Sequence, residues 1–247
     1  MGVMQKDLEP FNSGGKKIQL VSADYYNSKY KNFRHLEHGH AVDIFNAPDN
    51  SDDTIGNYPL GFFITRFVAT AADQSAVWQA LKELLQAHAV VHKAMGPAAF
   101  AIPSMGSYLV EMIIAVLEGL AEVDDKTLIR FSETGLDNRY TVGDIKKYYG
   151  SLFSKWLVQH PTEFLDRMLV GFSSNGLNWY AKKLRSENPA LKVVLMGHTH
   201  HAESDADPEG EYINDGCWCI PSALGHGDST PSYVEIIGDS ATLFPWK

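Results

Sequence analysis

The chain has 247 residues, 45% hydrophobic, 11% aromatic and 21% charged, a composition that excludes extensive disorder and suits one large domain or a core with an inserted subdomain. Its formal net charge of -9, with lysine and arginine nowhere massed, excludes a general nucleic-acid binder, because neutralising phosphates takes clustered cations.

Residues 1–10 lack the basic stretch and apolar core of a signal peptide, and no uninterrupted apolar run reaches the length of a membrane span. The two cysteines, Cys217 and Cys219, share one face of an extended strand, where a bridge between them would be strained. Both read as reduced, so the expected location is cytoplasmic. We read them as small packing residues in preference to a metal-binding pair, since two thiolates alone close no site.

In chain order, residues 16–23 read as a short strand after the turn residues Asn12, Ser13, Gly14 and Gly15. His35, His38 and His40 then cluster around Gly39, followed by Asp43 and Asn46. A His-rich surface loop and a metal-binding segment both fit that pattern. Residues 46–58, rich in Asn, Asp, Pro and Gly, read as a boundary loop. From Pro59 the periodicity turns helical, with apolar residues three and four apart in residues 75–85 and 107–121. Gly96-Pro97 and Ile102-Pro103 break the run between these two helices. Thr141 to Asp144 resembles an N-cap for a helix that Pro161 ends, and a last helix covers about residues 177–185.

The second of these helices carries a wide apolar stripe of Leu109, Met112, Ile113, Val116, Leu117 and Leu120. It reads as buried in its own subdomain, in preference to a lipid-facing role. His88 and His92 sit at i and i+4 on another helix, a metal-capable spacing with no carboxylate or cysteine beside it; we read them as a solvated or packed pair.

The most informative stretch is Val193-Val194-Leu195-Met196-Gly197-His198-Thr199-His200-His201. An apolar, β-branched run stops at glycine and presents His-x-His, a way of aiming two metal ligands from one rigid strand. Residues 204–210 read as an acidic loop, and residues 212–219 follow. Residues 232–237 and 241–244, flanking Gly238-Asp239, read as a two-stranded hairpin.

Met196-Gly197-His198-Thr199-His200 resembles the last metal-ligand motif, Gly-His-x-His, of the calcineurin-like metallophosphoesterase superfamily. Asn214-Asp215-Gly216-Cys217-Trp218 is similar to the Asn-x-Gly-Ser-Trp strand that commonly follows it, with Cys217 in place of serine. Upstream, His38-Gly39 resembles the His-Gly element carrying the preceding ligand. The resemblance implies an α/β class fold: part of a calcineurin-like α/β/β/α sandwich formed by residues 1–58 and 177–247, with residues 59–176 as an all-helical insertion or cap. It implies a metal-dependent phosphoester hydrolase, a phosphatase or phosphodiesterase, with two divalent metal ions that the sequence leaves open among Mn, Fe and Zn. His38 and His198 would ligate one ion and His200 the other, with His40 an alternative to His38. Asp43 would orient a histidine or cap a loop, and Asn214 would support the ligand loop. His201 would point away if the backbone is extended.

The family's Asp-x-His, Gly-Asp and Gly-Asn-His motifs should precede His38, and none stands among the 37 residues that do. The expected catalytic histidine is therefore not identified in this sequence. Two expectations follow. One is a hydrolase of a phosphorylated substrate of unspecified class, represented by an incomplete chain. The other is a non-catalytic binding or structural module that keeps half of the fold. A half sandwich with open strand edges is expected to self-associate or to accept a complementing N-terminal segment.

Overall fold

The structure, a computed structural model, describes residues 34–47, 49, 55–70, 74–95, 104–129, 139–170, 176–216, 231–237 and 240–245. The strand expected at residues 16–23, the pair Cys217 and Cys219, and the side chain of His92 lie outside the described residues. What is described is a mixed α/β chain with two cores, one helical and one built on a sheet.

The helical core is formed by α1 (Leu60–Thr70), α2 (Gln74–Met95), α3 (Ser104–Ala121), α4 (Val142–Gln159) and α5 (Phe164–Leu169). The apolar periodicity is realised: Val77, Leu81 and Leu85 of α2 meet Leu109, Ile113 and Leu117 of α3 and Ile145, Phe153 and Leu157 of α4 in one cluster. Each such side chain, fully buried, contributes roughly 1.5–3 kcal/mol of transfer free energy. Ile44, Phe45 and Ile55, from before the helices, join this cluster. By length and composition α3 could cross a membrane, yet Leu109, Val110, Ile113, Ile114 and Leu117 are at most 1% exposed inside the helical core.

The α3–α4 crossing depends on small residues. A Cβ on Gly106 would stand 2.4 Å from the Ser154 nitrogen and 2.5 Å from the Phe153 carbonyl carbon, so the two backbones touch there. Serines complete the contact: the Ser107 amide donates to Ser154 Oγ at 3.0 Å, and Ser107 Oγ donates to the Gly150 carbonyl at 3.0 Å. Thr141 caps α4 through a capping box with Asp144, as its sequence suggests.

The sheet has the order β1-β2-β4-β3, from β1 (Arg34–Leu36), β2 (Val193–Met196), β3 (Ala202–Asp207) and β4 (Gly210–Asp215). β1, β2 and β4 are parallel, with Leu36 beside Leu195 and Met196 beside Asn214. The β3–β4 pair is antiparallel, which corrects the loop expected at residues 204–210. Along this sheet edge the small residues Ala202, Ser204 and Ala206 are exposed and the acidic Glu203, Asp205 and Asp207 are half-buried. The hairpin turn is held by Asp207 Oδ1, which accepts from the Glu209 and Gly210 amides at 2.9 and 3.0 Å.

Period-two alternation in β2 and β4 sends side chains to two layers. Val194, Met196 and Tyr212 pack under α6 (Asn178–Glu187) with Leu177 and Ala181. Val193 and Ile213 pack on the other face against the hairpin of β5 (Ser232–Ile237) and β6 (Ser240–Pro245). Arg185, its side chain 1% exposed, pairs with Asp207 at 2.6 Å and ties α6 to the edge strand. On its outer side β1 pairs with no strand among the described residues.

Candidate metal centre

The parallel ladder continues just past β1 and β2: the Glu37 amide donates to the Leu195 carbonyl at 3.1 Å, and the Gly197 amide to the His38 carbonyl at 3.3 Å. His38 and His198 therefore leave the carboxyl ends of adjacent parallel strands, the end where α/β sheets gather functional groups. Their ring centres are 5.2 Å apart, edge to face. His40 stands 5.3 Å from His38, ring centre to ring centre, and both are exposed.

Glycine is favoured by the backbone at Gly39 and by close neighbours at Gly197. Gly39 has φ 93°, and a Cβ there would lie 2.3 Å from Leu177 Cδ1 and 3.7 Å from the His198 Cβ. At Gly197 a Cβ would lie 3.1 Å from Asp215 Oδ1 and 3.7 Å from His38 Nδ1. The absence of that methyl group lets the Asp215 carboxylate and the His38 ring approach one point.

The chain after Gly197 is bent by a three-residue turn. The Thr199 amide donates to the Gly197 carbonyl at 2.8 Å, and His198 between them has φ 70°. This is the strained form of the γ-turn. His200 also has a left-handed φ of 62°. Each non-glycine residue held there costs on the order of 1–2 kcal/mol, so the surroundings must compensate. Asn214, fully buried, does so: its Nδ2 donates to the Gly197 carbonyl at 2.7 Å and to Thr199 Oγ1 at 2.9 Å, and its Oδ1 accepts from the Gly216 amide at 3.0 Å. Because the backbone is not extended at His198 and His200, strand alternation does not assign a direction to His201, contrary to the premise used for it.

Asp43 contacts both a loop amide and a histidine. Its Oδ1 accepts from the Phe45 amide at 2.8 Å, and its Oδ2 lies 2.9 Å from His198 Nε2. The carboxylate is 2% exposed, and Asn46 Nδ2 donates to the same Oδ2 at 2.7 Å. With Nε2 engaged by a carboxylate, the ring of His198 is fixed and Nδ1 is its remaining nitrogen. Asn46 and Asp215 are the members that sequence reasoning missed. Asn46 has a weak signal in its spacing after Asp43, and Asp215 in its place within Asn-Asp-Gly.

The electrostatics favour neutral rings. Partial burial, then the neighbouring His198, His40 and His200, push the His38 imidazole below the usual histidine range. Burial, then His198 and His201, do the same for His200. Neutral imidazole is the form that ligates a metal, whereas a protonated ring cannot. Burial raises the Asp215 carboxyl above its ordinary range. No three His, Cys, Asp or Glu side chains among the described residues form a closed metal cage.

No family model, curated protein or solved structure matches the chain.

Proposed function

We propose that the histidine cluster is part of the metal centre of a phosphoester hydrolase, with His38, His198 and His200 as ligands and His40 at its rim. The observation that carries the reading is the pairing of His198 with buried Asp43 at the carboxyl end of β2, directly beside His38. Histidines that bind metals characteristically give their second nitrogen to a carboxylate, which orients the ring and raises its basicity. The strained Gly197–Thr199 turn, held by Asn214, adds support, since such strain is retained where a site requires it.

The layered sheet, with α6 on one face and the β5–β6 hairpin on the other, supports reading residues 1–58 and 177–247 as part of a calcineurin-like sandwich. Residues 59–176 then form a helical insertion whose core also takes in Ile44, Phe45 and Ile55. When bound, divalent ions in such a centre supply a hydroxide at neutral pH and withdraw charge from the phosphoryl oxygens. The chain's own residues hold and orient: His38, His198 and His200 present ring nitrogens, Asp43 fixes the His198 ring, and Asn214 fixes the turn. Imidazoles mixed with the carboxylates that the family resemblance implies suit Mn, Fe or Zn.

The test is hydrolysis of bis(p-nitrophenyl) phosphate with added Mn. This chain alone is expected to stay at the rate of the metal alone, because none of Asp-x-His, Gly-Asp and Gly-Asn-His precedes His38 in its sequence. Joined to a segment that carries those three motifs, the chain is expected to exceed that rate clearly and to lose the excess on His198→Ala. A joined protein no faster than the metal would replace the hydrolase with a non-catalytic metal-binding module.

A further inference from the structure

A second site lies on α4. Asp49, Ile55, Tyr140 and Tyr148 wall a cavity of about 520 Å³ with Asp144, Lys147, Ser151, Leu152 and Lys155. That size falls within the usual range for small-ligand sites. Lys147, Ser151 and Lys155 follow one another at four-residue spacing, so two ammonium groups and a hydroxyl line one stripe of the helix.

The charges in the cavity are unequally committed. Asp144 accepts from the Thr141 amide at 2.8 Å and from Thr141 Oγ1 at 2.9 Å, closing the α4 cap. Asp49 accepts from Tyr148 Oη at 3.1 Å. Lys147 and Lys155 form no ion pair or hydrogen bond with any described residue. The lining thus holds two lysines without a partner among the described residues and two carboxylates whose hydrogen bonds come from the neutral donors Thr141 and Tyr148. Half-buried Tyr140 and Tyr148, with Ile55 and Leu152, add aromatic and apolar surface beside them. A planar ring is held by aromatic surface and a phosphate by paired ammonium groups, and a nucleoside phosphate carries both.

We propose that this cavity binds a nucleoside monophosphate, the phosphate between Lys147 and Lys155 and the base against the tyrosines. Its wall is joined to the histidine centre by a short piece of chain: Asn46 bonds to Asp43, and Asp49, three residues on, bonds to Tyr148. Three residues span at most about 11 Å. Binding in the cavity itself needs neither the metal nor hydrolysis.

The experiment is calorimetric titration of metal-free protein with AMP, ribose 5-phosphate and adenosine. Saturable AMP binding is expected, weakened roughly tenfold by Lys147→Ala and again by Lys155→Ala, and unchanged by His198→Ala. Both lysines are exposed on a helix where alanine is well tolerated, so the variants should keep the parent's melting temperature. Adenosine binding as tightly as AMP would overturn the proposal, as would ribose 5-phosphate binding as tightly, or AMP affinity indifferent to both lysines. Loss of AMP binding on His198→Ala, with the lysine variants unaffected, would place the nucleotide at the histidines; the hydrolase reading would survive and the cavity assignment would not.

Discussion

Asp43→Ala is expected to weaken divalent-metal binding by roughly 10- to 100-fold, the usual effect of removing a carboxylate that orients a metal-bound histidine. The Asp43 Oδ2 to His198 Nε2 contact, at 2.9 Å, is the element that aims His198. The same carboxylate closes the turn at Phe45, so alanine also removes a local hydrogen bond. Asp43→Asn separates the two roles. Asparagine can still accept from the Phe45 amide but brings no charge to the ring, so it should preserve the melting temperature better than alanine and still bind metal less tightly than the parent. Zn titration followed by calorimetry, with circular dichroism on the same samples, measures both. Unchanged affinity in both variants would reduce Asp43 to a loop cap.

Gly106→Ala should destabilise the helical core by about 3 kcal/mol, near the upper end of ordinary overpacking. The added methyl meets α4 backbone at 2.4–2.7 Å, and backbone cannot step aside as a long side chain can. The helices would have to separate, stretching the Ser107 and Ser154 contacts across the crossing. Gly119→Ala is the control on the same helix, because nothing lies within 4 Å of a Cβ there; it should be neutral or slightly stabilising. Chemical denaturation of the two variants gives the comparison. Equal stabilities would show that the crossing is looser than described.

Much of this architecture was legible in the residues themselves. α2, α3 and α4 announce themselves because a buried helix repeats its apolar residues every three to four positions, and Thr141, Asp144 and Pro161 mark the ends of α4. β2 was legible as an apolar run before glycine. β3 was not, because Ala-Glu-Ser-Asp-Ala-Asp has the composition of a loop. Its strand character comes from pairing with β4 across the Asp207–Gly210 turn, and Asp-Pro-Glu-Gly between two extended stretches was the available signal.

The centre divides in the same way. His38 and His198 stood out because imidazoles beside glycine are chemically conspicuous in a chain. The bond between Asp43 and His198 joins residues 155 positions apart, and a separation of that kind leaves no periodic trace. The bend at His198 was equally hidden, since a histidine with positive φ is held there by Asn214 and not by its own preference.

The central claim is that the imidazoles of His38 and His198 bind one divalent ion together. Zn titration of the protein and of its His38→Ala and His198→Ala variants at neutral pH tests it most directly. The account predicts saturable binding to the parent and a large loss of affinity in each variant, with pH dependence set by imidazole protonation: binding strengthens as pH rises and the rings lose their protons. Binding that is absent from the parent, or equal in all three proteins, would contradict it.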